Sequence, residues 1–188
     1  IGGTDETAYH HLANEIIDNS IDEAVAGHAK EITVKLLNKN TISISDDGRG
    51  IPIDKHPKKK KTALEVVMTT LHSGGKFNDG VYKSSAGLHG VGLSVVNALS
   101  SNLNIQVTKK NKIYSQDYSK GKIVSKLKAI GKNKIKNGTL VAFTPDAEIF
   151  GKDTHFKPEK IYELSKNKAY LQKGVKIVWE CNKSLLNR

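Results

Sequence analysis

The spacing of hydrophobic residues predicts a long amphipathic helix near the start of the chain, over Asp5–Gly27. Thr4 or Asp5 is a suitable N-cap, and Gly27 is a suitable C-terminal stop. The predicted core face consists of Ala13, Ile17, Ile21, Ala24 and Val25. A polar set at helical spacing lies on roughly the opposite side and consists of Glu15, Asn19, Asp22 and Glu23.

Alternation of apolar and polar residues predicts strands in much of the remaining chain. Residues 31–37 and 41–45 form a predicted hairpin around the turn 38–40. Further strands are predicted at residues 103–107, 112–118, 123–127, 138–144 and 175–179. Helices are predicted at residues 62–71, 91–100 and 158–171, the last with Pro158 in its first turn. Their predicted inward residues are Leu64, Val67, Met68 and Leu71, then Val91, Val95, Ala98 and Leu99, and then Ile161, Leu164 and Leu171.

A glycine-rich stretch comes directly before the helix predicted at residues 91–100. It consists of Gly87, Leu88, His89, Gly90, Val91 and Gly92. A glycine loop that opens a helix presents free backbone N–H groups and the positive end of the helix dipole, a combination that binds phosphate. The alternative is an ordinary glycine turn before a core helix. The spacing of the glycines matches neither a Walker A loop nor a dinucleotide fingerprint.

Three polar residues of the first helix are candidates for the chemistry of a phosphate ligand. Asn19 can bind a divalent cation through its amide oxygen, and Glu15 nearby can act as a general base. His11 lies one turn before Glu15, within reach of the carboxylate that it would orient. Magnesium takes few protein ligands, so these groups suffice when phosphates complete the coordination shell. The alternative is an acidic helix face that is turned to solvent.

A polar, glycine-rich segment, residues 46–52, follows the second strand of the hairpin. A carboxylate here, with Asp46 as the candidate, can accept a hydrogen bond from an exocyclic amine such as adenine N6. Thr139, at the start of another predicted strand, can assist Asp46 with its hydroxyl. The alternatives are a turn rich in Asp and Gly, and a β-branched residue that serves only its strand.

The segment 72–86 is long for a loop without periodicity, and such loops are typically lids, binding loops or disordered. Lys76 and Lys83 can reach phosphate as point charges, and Tyr82 can lie against a base. The alternative for each lysine is exposure to solvent.

The composition is that of a basic globular domain. The chain has 188 residues, enough for one domain, and no apolar run approaches the roughly 20 residues of a membrane span. Its net charge of +11, from 30 Lys+Arg against 19 Asp+Glu, favours an anionic partner such as nucleic acid, nucleotide or a membrane surface. The lysines are scattered, apart from the run at residues 58–61. The single cysteine, Cys181, excludes an internal disulfide and fits a reduced, cytoplasmic setting.

Four segments in order, residues 15–24, 46–52, 71–77 and 87–100, together resemble the ATPase domain of the B subunits of bacterial type IIA topoisomerases. These subunits belong to DNA gyrase and topoisomerase IV, within the GHKL ATPases that also include Hsp90, MutL and sensor histidine kinases. The resemblance covers essentially the whole chain, residues 1–188, as one ATPase domain. The C-terminal residues 156–177 are more similar to topoisomerase IV than to gyrase.

The resemblance implies a two-layer α/β fold, in which helices cover one face of a mixed, mostly antiparallel sheet and ATP lies between the layers. It implies that Glu15 activates water, that His11 orients Glu15, and that Asn19 binds the Mg²⁺ that bridges the phosphates. It also implies that Asp46, supported by Thr139 and a water, accepts from adenine N6. The other ATP-binding residues that it implies are Arg49, Gly50, Ile51, Pro52 and Met68 at the adenine, Lys76 and Tyr82 in a lid, and Gly87, Leu88, His89, Gly90, Val91, Gly92 and Leu93 at the phosphates.

The implied function is ATP-dependent DNA strand passage, in a heterotetramer with an A-type (ParC-like) subunit and through ATP-gated closure of a dimer. The N-terminal arm and the C-terminal transducer domain of the family have no counterpart in this sequence, so we expect a monomer that binds ATP but hydrolyses it poorly. Lys109 stands where gyrases have an arginine at the pocket mouth. Two other functions stay open: a histidine-kinase-type phosphotransfer module and a basic DNA-binding module without catalysis.

Overall fold

The structure, a computed structural model, describes residues 3–70 and 92–186 of the chain. Its helices are α1 (Glu6–Val25), α2 (Ala63–Thr69), α3 (Gly92–Ala98), α4 (Ala147–Phe150) and α5 (Pro158–Leu171), with a 3₁₀ turn at Lys183–Leu185. Its strands are β1 (Glu31–Asn38), β2 (Thr41–Asp46), β3 (Ser100–Lys109), β4 (Lys112–Ser119), β5 (Lys122–Ile123), β6 (Lys128–Lys132), β7 (Gly138–Pro145) and β8 (Lys176–Cys181).

The strands form one sheet in the order β5-β4-β3-β7-β2-β1-β8, and β6 pairs with the same edge of β4 as β5. β8 runs parallel to β1, whereas the other pairs of described strands are antiparallel. The sheet is therefore mixed and mostly antiparallel, as predicted. Because β8 pairs with β1, the C-terminal part of the described chain belongs to the same sheet as the N-terminal hairpin.

The core lies between the sheet and the helices α1, α3 and α5. Tyr9, Leu12 and Ile17 of α1 are at most 1% exposed and face the sheet. The strands bury alternate residues toward them, as Ile42 and Ile44 of β2 do. Each fully buried aliphatic side chain stabilises the fold by about 1.5–3 kcal/mol relative to an exposed one. This layer packing fixes which side of α1 is free to form a site.

The predicted ends of α1 are confirmed. Asp5 is its N-cap, and a carboxylate oxygen of Asp5 accepts a hydrogen bond from the Ala8 N–H at 2.9 Å. Gly27 follows the helix with a φ of 83°, a conformation that favours glycine. The prediction that Val25 belongs to the core is wrong, because Val25 is 63% exposed at the end of the helix.

The inward face predicted for α3 is only partly confirmed, because Leu99 packs against the core but Val95 and Ala98 do not belong to it, and Val91 lies outside the described residues. The residues buried in α3 are Gly92, Leu93, Ser94, Val96 and Asn97, whereas Val95, Ala98 and Leu99 are only partly buried. The reason is that α3 is packed against both α1 and α2 as well as against the sheet, so burial follows its neighbours rather than one apolar stripe. In α2, Leu64 and Met68 are buried as predicted, but Val66 is more deeply buried than Val67.

The strand predicted at residues 123–127 is mostly absent. β5 has only two residues, and a strand that alternation did not indicate, β6, lies at residues 128–132. Both are entirely exposed, so no hydrophobic alternation marks them, and backbone pairing with β4 alone forms them. In α5, the bounds and the burial of Ile161 are confirmed, but Leu171 is 75% exposed. No helix of the described residues is long and apolar enough to cross a membrane.

Candidate active site

The fold brings Glu15 and the first residue of α3 together. Glu15 is half-buried on α1, and α3 begins at Gly92. A Cβ atom at Gly92 would collide with a carboxylate oxygen of Glu15 and would lie 3.3 Å from the Glu15 Cβ atom. Only glycine therefore fits at this position while Glu15 keeps its place. The two elements that the sequence predicts to face each other across a phosphate ligand are thus neighbours.

Asn19 and His11 lie one turn to either side of Glu15 on α1. Asn19 is half-buried, and its carboxamide has no hydrogen-bond partner in the part of the chain that the structure describes. His11 is exposed, and within residues 3–70 and 92–186 no hydrogen bond joins it to Glu15. The orienting role of His11 stays a prediction.

The oxygen atoms at Asn19 and Glu15 fit a cation whose remaining coordination positions are filled by water and by the phosphates of a bound nucleotide. Among the described residues, no group of three or more His, Cys, Asp or Glu side chains can hold a metal ion. Mg²⁺ is usually bound by one or two protein oxygens together with water and substrate phosphates. The amide oxygen of Asn19 and the carboxylate of Glu15 meet that requirement, whereas they could not cage a structural metal.

Asp46 ends β2 and is 8% exposed. Its carboxylate accepts hydrogen bonds from the Ser20 hydroxyl at 2.8 Å and from the Gly48 N–H at 2.9 Å. Burial raises the pKa of Asp46 to about 6, although both hydrogen bonds favour its charged form. Each carboxylate oxygen keeps further acceptor capacity, so Asp46 can accept from an N–H group of a bound base.

Glu23, at the other end of the polar side of α1, is paired with Arg49. Arg49 Nη2 donates to Glu23 Oε1 at 2.6 Å, and the Arg49 N–H donates to Glu23 Oε2 at 3.0 Å. Burial raises the pKa of Glu23, but these bonds and the charge of Arg49 outweigh burial and hold the pKa below its usual value. Glu23 is 7% exposed, so this end of the polar side is not turned to solvent.

The segment after Asp46 is held by backbone and side-chain contacts. Gly50 has a φ of 76°, and a Cβ atom there would lie 3.0 Å from two backbone carbonyl oxygens. The Ile51 N–H donates to the Thr139 hydroxyl at 3.2 Å. Thr139 lies opposite Asp46 in the pairing of β7 with β2, as the resemblance leads us to expect, but its hydroxyl bonds to Ile51 rather than to Asp46.

Lys109, at the end of β3, binds the backbone of the same segment, residues 46–52. Its Nζ atom donates to the carbonyl oxygens of Arg49 and Gly50, at 2.9 and 2.7 Å. Burial lowers the pKa of Lys109. This lysine therefore fixes the backbone of the predicted adenine side.

The hydrophobic side of the site comes from α2, α3 and the segment after Gly50. Met68 is fully buried, Leu93 is 5% exposed, and Ile51 and Pro52 are half-buried. Asn97 of α3 donates through Nδ2 to the Met68 carbonyl oxygen at 2.9 Å, which ties α3 to α2. The predicted residues Lys76, Tyr82, Gly87, Leu88, His89, Gly90 and Val91 lie outside the described residues, and so does Lys83.

A cavity of about 340 Å³ is lined mainly by residues on the face of the sheet that the helices leave uncovered. Its lining includes Thr33, Ser45, Gln106, Thr108 and Leu140, which alternate with the buried core residues of their strands. Asp46 and Thr139 also line this cavity, so it adjoins the part of the candidate active site around Asp46, whereas Glu15 does not line it.

Comparison with known proteins adds a decisive observation. The family model of the histidine kinase-, DNA gyrase B- and HSP90-like ATPases matches residues 4–149, most of the chain and all of the candidate active site that is described. The chain belongs to this ATPase family. The family that the sequence motifs resemble is therefore confirmed.

The relatives of this ATPase point to one branch of the family. The chain is 58% identical over 182 residues to the B subunit of DNA topoisomerase 4 from Rickettsia felis, covering 96% of this chain and 28% of that protein. It is 52% identical over 188 residues to the B subunit of DNA topoisomerase 4 from Caulobacter vibrioides, covering 100% of this chain and 27% of that protein. It thus spans little more than a quarter of the length of these relatives.

A solved structure confirms the fold. The 43K ATPase domain of Thermus thermophilus gyrase B, in complex with an aminocoumarin, superposes with a TM-score of 0.83 at 42% sequence identity. The match covers 96% of this chain and 45% of that one. The layer order of this ATPase is therefore that of a gyrase B ATPase domain.

Two residues of the ATPase site are missed by sequence reasoning. Helical spacing assigns Ser20, whose hydroxyl donates to Asp46, to neither the apolar nor the polar face of α1. It assigns Glu23 only to the acidic face and does not predict its bonds to Arg49. Their partners lie 26 residues away in the chain, so no local spacing reveals them. A usable signal is the position of Ser20 one helical turn after Ile16 and Ile17, which places its hydroxyl on the apolar side of α1, where a buried hydroxyl needs a partner.

Proposed function

We propose that this chain is the ATP-binding and ATP-hydrolysing domain of the B subunit of a DNA topoisomerase IV, with Mg²⁺ as cofactor. One observation carries the proposal. Helix α1 joins a buried acceptor, Asp46, to a general-base candidate, Glu15, that lies against the start of α3. Ser20, which contacts Asp46, and Glu15 are about 7.5 Å apart along the helix axis. Helix α1 thus contributes to the proposed binding of both the nucleobase and the phosphate chain.

The residues of the chain have separate tasks in this proposal. Asp46 accepts from the adenine amine, and the Glu23–Arg49 pair holds the backbone beside it. Asn19 holds Mg²⁺, which supplies positive charge to the phosphates when it is bound. Glu15 orients the attacking water and takes its proton. Phosphoryl transfer needs such positioning and charge stabilisation more than covalent chemistry.

The fixed segment at residues 50–52 defines where the base binds. Lys109 and Thr139 hold its backbone through hydrogen bonds that need no ligand. Ile51 and Pro52, which are half-buried, supply the apolar wall against which a flat ring packs, and the fully buried Met68 belongs to the core that supports this wall. A wall that exists before binding lowers the entropic cost of placing the nucleotide.

The assignment to topoisomerase IV rather than gyrase rests on the pattern of similarity. The topoisomerase IV relatives are 52–58% identical to the chain, and the B subunit of Thermus thermophilus gyrase is 48% identical. We propose that residues 1–188 form a single domain, because β8 joins the sheet beside β1.

The proposed whole protein passes one DNA segment through another. It works with an A-type subunit and closes as a dimer when ATP binds. Since its substrate is DNA of the bacterial chromosome, we place it in the cytoplasm. By itself, this chain is proposed to be a monomer with weak hydrolysis.

A phosphotransfer module of the histidine-kinase type is the second candidate, because the family includes such proteins. Such a module binds ATP in a similar way but needs no general base for water. The position of Glu15 against Gly92 favours hydrolysis, since a carboxylate there has no task in transfer to a protein side chain.

The test combines binding with turnover. Calorimetry measures binding of a non-hydrolysable ATP analogue with and without Mg²⁺; we expect Mg²⁺ to tighten it, and Asn19→Ala to remove that gain. Glu15→Gln is expected to keep analogue binding within about threefold, while ATP turnover of the topoisomerase reconstituted with its A-type subunit falls at least about 100-fold. Absence of analogue binding, or unchanged turnover of Glu15→Gln, contradicts the proposal.

A further inference from the structure

The positive charge of the chain is concentrated in one region. Residues 109–136, from the end of β3 to the loop after β6, hold ten lysines and one acidic residue, Asp117. This segment therefore carries nine of the eleven net positive charges. The rest of the chain is almost balanced, with 20 basic and 18 acidic residues. We call the β4–β6 region, with the turn at residues 110–111 and the loop at residues 133–137, the lysine edge.

Most lysines of this region have no carboxylate partner. Lys120 pairs with Glu148, and Lys109 donates to backbone carbonyl oxygens. The other eight are exposed, and none forms an ion pair with the described residues. Elsewhere in the chain, lysines such as Lys157 and Lys168 do form ion pairs with acids. Lysines without an ion pair to the described residues, such as Lys39 and Lys152, also occur elsewhere, but the acidic residues there nearly balance the basic ones, whereas the lysine edge has one acid for ten lysines.

The sheet places like charges directly opposite each other. Lys109 of β3 is paired with Lys112 of β4, and Lys112 is paired in turn with Lys132 of β6. Like charges at paired positions of neighbouring strands destabilise a sheet. Lys112 also lies 5.6 Å from the centre of the Tyr114 ring, which supports its position. A bound anion would relieve this repulsion, since neither Lys112 nor Lys132 forms an ion pair with the described residues.

The backbone that carries these lysines is held firmly. The Asn111 N–H donates to the Lys136 carbonyl oxygen at 2.8 Å, and the Asn133 N–H donates to the Asn111 carbonyl oxygen at 2.7 Å. The Asn111 carboxamide also donates to the Ile135 carbonyl oxygen at 3.0 Å. These bonds hold Lys134 and Lys136 beside the end of the β3–β4 hairpin. The lysines form a fixed surface rather than a charged tail.

We propose that the lysine edge binds the phosphate backbone of duplex DNA. β4 has eight residues and is about 27 Å long, and the lysines follow it from end to end. A row of this length fits a long, stiff polyanion, since duplex DNA carries one charge per about 1.7 Å of its axis. The choice of DNA among polyanions rests on the proposed function, whereas the charge arrangement does not.

The proposed contact is independent of DNA sequence. Lysine is a point charge without the planar fork with which arginine reads guanine, and residues 109–136 contain no arginine. Contacts to phosphate fix position and carry no sequence information. We therefore infer that this edge guides a DNA segment past the ATPase domain rather than selecting a site.

The test compares two charge-matched variants of the 188-residue chain. One replaces Lys112, Lys132 and Lys134 with Gln; the control replaces Lys39, Lys152 and Lys173, which are exposed elsewhere on the surface and have no ion pair with the described residues. Binding of a fluorescent 30-bp duplex is measured by anisotropy at several salt concentrations. Thermal unfolding and binding of the ATP analogue are measured for all three proteins.

We expect the first variant to bind the duplex at least about tenfold more weakly, with a salt slope lower by about 3, and the control to change by less than twofold. Equal weakening in both variants, or no weakening in the first, overturns the proposal. Binding of polyglutamate or of phosphatidylserine vesicles without binding of the duplex overturns the choice of DNA. Failure of the unmodified chain to bind the ATP analogue contradicts only the ATPase proposal, and the result for DNA can still be interpreted.

Discussion

The two ends of the site differ in how their polar groups are satisfied. At the end proposed for the nucleobase, here the base end, Asp46 and Glu23 are buried, and each accepts at least two hydrogen bonds from the protein. At the phosphate end, Glu15 and Asn19 are half-buried and have no hydrogen-bond partner among the described residues. In the proposed function, the base end is complete before a ligand arrives, whereas water, a cation and phosphates would complete the phosphate end. Preformed geometry suits recognition of a rigid ring, and unpaired donors and acceptors suit chemistry.

This difference predicts that changes at the phosphate end affect catalysis most. Gly92→Ala places a methyl group on a carboxylate oxygen of Glu15 and must displace that side chain or α3. We expect ATP turnover of the reconstituted topoisomerase to fall at least about 100-fold, because misplacement by about 1 Å has such effects. Gly131→Ala is the control, since a Cβ atom there meets nothing within 4 Å. Equal activity of the two variants would contradict the assigned role of the Glu15–Gly92 contact.

At the base end, the largest expected effect is on stability. Glu23→Gln removes the carboxylate that pairs with the half-buried charge of Arg49, and we expect the free energy of unfolding to fall by about 2 kcal/mol. Glu6→Gln, which removes the acid that pairs with Lys157 and Lys160 at the surface, is expected to cost less than about 1 kcal/mol. Urea denaturation measures both. A loss from Glu6→Gln as large as that from Glu23→Gln would show that burial is not the cause.

Asp46→Asn tests recognition of the base itself. The amide keeps one acceptor oxygen but turns the other into a donor that faces the adenine amine, so we expect ATP-analogue binding to weaken by about tenfold, or about 1.4 kcal/mol. Asp47→Asn is the neighbouring control, because the carboxylate of Asp47 accepts from the N–H groups of Lys30 and Glu31 instead. Calorimetry at pH 7.5 should show less than a twofold change for the control. The reverse ranking would remove Asp46 from the base site.

The smallest expected effect is a pH dependence with a defined sign. The pKa of Asp46 is about 6, above its usual value, so the fold favours the protonated form. Its contribution to stability is therefore present below about pH 4 and is lost as the pH rises through 6. Adenine binding needs the ionised acceptor, so analogue affinity should decrease as the pH falls below 6. The same titration on Asp46→Asn should lose this step, and a persisting step would assign it to another group.

Much of the architecture could be read from local patterns. The caps at Asp5 and Gly27, the β1–β2 hairpin and the bounds of α5 depend on neighbours in the chain, and the structure confirms them. The order of the four motifs led to the correct ATPase family. Sequence reasoning also placed Glu15 and the glycine-rich stretch in one site, because phosphate chemistry requires both.

Other features could not be read in this way. The exposed positions of Val25 and Leu171, the burial of α3 on several sides and the presence of β6 were predicted wrongly or missed. Each depends on what packs against an element rather than on its own periodicity. An apolar residue at the end of a helix meets no partner, and an exposed edge strand needs only backbone hydrogen bonds.

The sequence by itself determined most of the elements, the family and the residue types proposed for the site, because capping, periodicity and motifs can be read along the chain. Only the tertiary structure decided which of those polar groups are satisfied internally. Ser20 meets Asp46, and Arg49 meets Glu23, over 26 residues of chain, and Lys109 reaches the carbonyl oxygen of Arg49 from another strand. Such partners are chosen by the packing of α1 on the sheet, which places groups distant in the chain within hydrogen-bond distance.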